Sequence, residues 1–97
     1  MTLSATATTA TQNASKYLQQ LCKHWSHKAE ANFTADTGTV KFASGNTLTM
    51  TANPNQLTLQ VTVPDDGDLA HFQDVVDKHL LRFAFREDLS IVWPPSA

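Results

Sequence analysis

The chain has 97 residues, 41% of them hydrophobic and 16% charged, with a net charge of −2, one cysteine, three glycines and thirteen threonines. A single Cys22 rules out an internal disulfide framework and a zinc site built of cysteines alone. No apolar run approaches the roughly 18 residues of a membrane-spanning helix, and no basic surplus draws the chain as a whole to nucleic acid.

For this mass, surface scaling gives roughly 5,500 Å² exposed after folding, about a third of the unfolded value, which is enough for one core. A single domain over residues 1–97 is expected. The charge is unevenly spread. Residues 1–29 hold Lys16, Lys23 and Lys28 and no acid, for +3, while residues 30–97 hold nine acids and four bases, for −5. The first eleven residues lack the basic and leucine-rich regions of a secretory leader, so a cytoplasmic location is expected.

Ser4-Ala5-Thr6-Ala7-Thr8 alternates with the period of a half-buried strand. Asn13 suits a helix N-cap, and Ala14, Tyr17, Leu18, Leu21 and Trp25 recur at helical spacing, which predicts a first helix over 14–27. The period then changes to two. Ala29, Ala31, Phe33 and Ala35 alternate with polar residues, followed by Val40 and Phe42, then Leu48, Met50 and Ala52. Leu57, Leu59, Val61 and Val63 form the clearest strand, and the turns Asp36-Thr37-Gly38, Ser44-Gly45-Asn46 and Asn53-Pro54-Asn55 separate the runs. Such short turns predict an antiparallel meander with an apolar face and a wet, threonine-rich face.

Pro64 stops that strand, and the Asp65-Asp66-Gly67-Asp68 run supplies caps for a second helix ending near Phe85. Its apolar stripe is Leu69, Phe72, Val76, Leu80 and Phe83, with Val75 and His79 along one edge. Residues 89–93 read as a last short strand. The order β-α-β-β-β-β-α-β predicts an α+β, two-layer sandwich: a largely antiparallel sheet with two helices on one face.

The segment Cys22-Lys23-His24-Trp25-Ser26-His27-Lys28 has the spacing of soft metal ligands. On a helix, at about 100° per residue, Cys22 and His24 fall about 200° apart, whereas His24 and His27 fall about 60° apart. Only the two histidines converge, so iron, zinc or haem held by His24 and His27 would need a further ligand from elsewhere. Cys22 reads as a small buried hydrophobe, since a Cys-His nucleophile would have to borrow His79. A pairing of His24 with His79 across the two helices is open on geometric grounds. The acids Asp65, Asp66 and Asp68 lack the spacing of a calcium loop and read as caps.

Two longer motifs, Leu21-Cys22-Lys23-His24 continuing to His27-Lys28, and His79-Leu80-Leu81-Arg82-Phe83-Ala84-Phe85-Arg86-Glu87, closely resemble the bacterial family known as domain of unknown function 2218. The resemblance covers essentially the whole chain. It implies a bacterial protein without an assigned activity, and a link with iron utilisation through flavin-containing siderophore-interacting proteins, near which family members occur. Carried onto this chain, it singles out Cys22, Lys23, His24, His27, Lys28, His79, Arg82, Phe83, Phe85 and Arg86. All stand near the C-terminal ends of the two helices. If those ends lie together, His24, His27, Lys28, His79, Arg82 and Arg86 form a positive patch suited to a small anionic ligand.

The expectation is thus a small accessory domain, more readily a binder than an enzyme, requiring no cofactor. Its partners would be an anionic small ligand or a flavin-containing siderophore-interacting protein, not nucleic acid or a membrane, and a homodimer is compatible with the helical faces. The alternative is a metal- or haem-binding protein using His24 and His27.

Overall fold

The computed structural model describes residues 2–84 together with Ile91 and Trp93. Its elements are β1 (Thr2–Ala10), α1 (Ala14–Trp25), β2 (Glu30–Phe33), β3 (Thr37–Lys41), β4 (Thr47–Ala52), β5 (Gln56–Pro64) and α2 (Leu69–Phe83). The expected order holds over these seven elements. The closing strand expected over 89–93 lies outside the described residues, Ile91 and Trp93 excepted, as do Phe85 and Arg86.

The five strands form one antiparallel sheet in the order β1-β5-β4-β3-β2. Consecutive strands from β2 to β5 pair through short turns, whereas β1 crosses to the far edge and pairs with β5 along its whole length, from Thr2 opposite Pro64 to Ala10 opposite Gln56. Alternation then sorts the side chains. Val40, Leu48, Met50, Leu57, Leu59, Val61 and Val63 face the helices and are buried. The opposite face carries cross-strand pairs such as Thr47 with Thr62, Thr51 with Thr58 and Thr39 with Thr49. Threonine is well placed there, because a β-branched hydroxyl side chain suits a pleated surface open to water.

Leu18, Leu21, Cys22 and Trp25 of α1 and Phe72, Val76 and Leu80 of α2 complete the core. Burying one such large side chain is worth about 1.5–3 kcal/mol. The α1 helix comes close to the sheet over Gly38, where a Cβ would lie 2.8 Å from Cys22 Sγ and 3.0 Å from a Leu18 methyl carbon. At Gly45 the tight Phe42 to Asn46 turn needs φ +96°, a region glycine enters without penalty. No helix among the described residues is long and apolar enough to cross a membrane.

Local hydrogen bonds set two of the helix boundaries. Asp68 caps α2 as expected, its carboxylate accepting the His71 backbone N–H at 3.0 Å. The α1 helix, expected to reach residue 27, ends at Trp25. Ser26 turns its hydroxyl back to donate to the Lys23 carbonyl at 2.7 Å, and the Trp25 carbonyl accepts from both Lys28 and Ala29, so the chain leaves the helix at once. His27 and Lys28 therefore sit on the turn into β2, and the helical angle between His24 and His27 does not apply.

Candidate functional site

The C-terminal ends of α1 and α2 meet over the sheet. His24, in the last turn of α1, lies with its ring centroid 5.2 Å from that of His79 and 5.8 Å from that of Phe83, both on α2. The pairing of His24 with His79 left open by the sequence is thus present. Trp25, only 3% exposed, stands 5.0 Å from His79 and continues the ring contacts inward to Phe42 at 5.6 Å, which in turn meets Phe72 at 5.4 Å. This chain of tilted and edge-to-face rings holds the histidines on the core. Such pairs add about 0.5–1.5 kcal/mol each beyond area burial.

The two rings have different surroundings. His79 Nδ1 stands 2.7 Å from the Val75 carbonyl oxygen, an acceptor, so this nitrogen carries the hydrogen and Nε2 is left for another partner. His24 is exposed overall, yet its ring rests against three others. Loss of water on that side is the largest cause holding its pKa below the ordinary histidine value, and the positive charges of His79, Lys28, Arg82 and His27 push it in the same direction. Those four residues, drawn from α1's exit turn and from α2, thus converge electrostatically on one imidazole. Lysine and arginine here also complement the negative ends of two helix dipoles, which together offset about one unit of positive charge.

A hollow of ≈ 250 Å³ opens beside His79, lined by Lys78, His79 and Arg82. Lys78 is held by Asp74 at 2.9 Å on the helix surface, as the i,i+4 spacing predicts. Of the six residues expected to form a positive patch, five are thus brought to one seam, and Arg86 lies outside the described residues. Lys78 also lines the hollow, although it was not among the six.

Cys22 does not take part. It is fully buried against Gly38 and Leu18, and burial pushes its thiol up to about 11. A thiol so protonated is inert, and His79 is engaged with His24 and Trp25 instead. His24 and His27 by themselves are two imidazoles, and among the described residues no group of three His, Cys, Asp or Glu side chains is placed to hold a metal ion. A larger hollow of ≈ 460 Å³, lined by Ala10, Thr11, Gln12, Asn13 and Asn55, has no titratable side chain.

One contact escaped sequence reasoning altogether. The Trp93 indole N–H donates to both carboxylate oxygens of Asp77, at 2.9 and 3.0 Å, tying Trp93 to α2. Burial raises the Asp77 pKa, the Trp93 bond works against that rise, and the nearby Asp74 charge adds to it. No local period links an aspartate in mid-helix to a tryptophan beyond the helix end.

Comparison with known proteins bears on the whole chain. The solved NMR structure of PA4090 from Pseudomonas aeruginosa is 37% identical, covers 95% of this chain and 95% of its own, and superposes with a TM-score of 0.77. No curated protein matches. Residues 6–94 match the family described as "Uncharacterized protein conserved in bacteria (DUF2218)", so that the chain, by sequence over nearly its full length and by fold, belongs to DUF2218.

Proposed function

We propose that this bacterial domain is a non-catalytic binding protein that takes a small anion at the seam of its two helix ends. The observation that carries the reading is the close approach of His24 and His79, 5.2 Å between ring centroids, with Arg82 lining the hollow beside His79. Like charges gathered at one place repel one another, and an anion relieves that repulsion while accepting hydrogen bonds from guanidinium and imidazolium groups. Cys22 supplies no nucleophile to them, since it is buried and protonated. In this reading Arg82 provides the permanent charge, His24 and His79 donate ring N–H hydrogen bonds, and Lys28 and His27 strengthen the field.

Anion binding and histidine protonation are then linked. A bound anion favours the charged imidazoles, so affinity rises as pH falls through the histidine range. Titration of the protein with inorganic phosphate, followed through the histidine ring signals by NMR, tests this: shifts at His24 and His79 that strengthen from pH 7.5 to pH 5.5 and vanish in Arg82→Gln are the expected result. Unchanged spectra at both values would sink it.

In the same reading the domain is an accessory to iron–siderophore utilisation, acting beside a flavin-containing siderophore-interacting protein. Its support is the match of the Cys22 to Lys28 and His79 to Arg86 motifs to the family. Its compartment in this reading is the cytoplasm, where a lone Cys22 stays reduced. Binding of ferric siderophores or of such a flavoprotein, measured by calorimetry, decides this part independently of phosphate.

A further inference from the structure

Anion binding by itself does not call for the rings. A spherical anion needs charge and N–H donors, but the seam offers an exposed His24 ring and half-buried His79 and Phe83 rings set at 48° and 72° to it. The hollow that His79 lines with Lys78 and Arg82, ≈ 250 Å³, falls below the range of about 300–1,000 Å³ typical of drug-sized ligands and suits one ring with its charged group, His79 being the ring through which it meets His24. Among the described residues no carboxylate pairs with Arg82, whereas Lys78 is already engaged by Asp74. Among the described residues the Arg82 guanidinium thus carries no carboxylate, and its planar fork matches the two oxygens of one on a ligand.

We infer that the seam recognises a small anion carried on a single planar aromatic ring, with the carboxylate on Arg82 and the ring against His24, His79 and Phe83. This rests on the anion reading and narrows it. Edge-to-face and offset contacts among rings select an aromatic body over a saturated one of the same size.

The wild-type protein is titrated by NMR with benzoate, cyclohexanecarboxylate and inorganic phosphate at one ionic strength. Benzoate is expected to bind about three- to tenfold more tightly than cyclohexanecarboxylate, the margin of one aromatic contact, and to shift the His24, His79 and Phe83 ring signals. Phe83→Leu should remove that margin and leave phosphate binding in place; if this variant fails to fold, the wild-type comparison still decides. Equal affinity for the two carboxylates, or binding of phosphate alone, overturns the aromatic inference and leaves the anion reading standing. Binding of none of the three overturns both.

Discussion

At Gly38 a missing side chain sets how closely α1 can approach the sheet. A methyl group there would meet Cys22 Sγ at 2.8 Å, inside van der Waals contact, and neither the sulfur nor the Leu18 methyl carbon behind it can swing into solvent. Gly38→Ala is therefore expected to destabilise the fold by about 1–3 kcal/mol, the usual cost of overpacking. Equilibrium denaturation measures this, and adding Cys22→Ala should recover part of the loss, since the two changes share one contact. The opposite sign is expected at Thr9. Its hydroxyl is buried in β1 and makes no hydrogen bond among the described residues. Thr9→Val keeps the shape and removes a desolvated polar atom, so it should leave stability unchanged or raise it by about 1 kcal/mol. A fall in melting temperature would show that the hydroxyl has a partner.

Among the elements, α2 is the most dependent on single polar contacts. Its start rests on the Asp68 cap, and Asp68→Ala should cost about 0.5–2 kcal/mol in denaturation experiments. Farther along, Asp77 ties α2 to Trp93 with a pKa raised above the ordinary carboxylate value, burial being the main cause. A raised carboxyl favours the folded state most when protonated, so its contribution is present at low pH and is lost as pH rises through the folded-state value. Asp77→Asn keeps an oxygen acceptor for the indole and removes the titration. Stability measured from pH 3 upward should fall less with rising pH in this variant than in the wild type; parallel profiles would mean that Asp77 is not perturbed. Helix and strand positions were largely legible in the residues, because the helices and the strands from β3 to β5 each bury one stripe or one face and so write their own period. The end of α1 was not. It hangs on the Ser26 hydroxyl reaching back to Lys23, a contact that a periodic reading of 14–27 passes over.

Across the whole molecule, the two helix ends form one electrostatic unit. His24, held below the ordinary histidine value by lost hydration and by four positive neighbours, makes folding less favourable as pH falls through the ordinary histidine value towards its own lower one. An anion bound as proposed would reverse that trend. Saturating phosphate should raise the melting temperature more at pH 5.5 than at pH 7.5, and Arg82→Gln should abolish the difference, because only a ligand that prefers the folded state stabilises it. A shift of the same size at both values would assign phosphate's effect to general salt.

The sequence by itself determined the two helices, the meander from β2 to β5, the buried faces of β3, β4 and β5 and the acid-free first segment with its histidines, whereas Phe33 of β2, read as part of an apolar face, is exposed. These follow from residue periods and turn chemistry, which act over a few residues. The tertiary structure alone decided that β1 crosses the sheet to pair with β5, that α1 settles onto Gly38, that Trp93 reaches Asp77, and that His24 and His79 come within 5.2 Å. All four join residues far apart along the chain, and their partners were selected by the packing of two helices on one apolar face, for which no local pattern in either segment is a record.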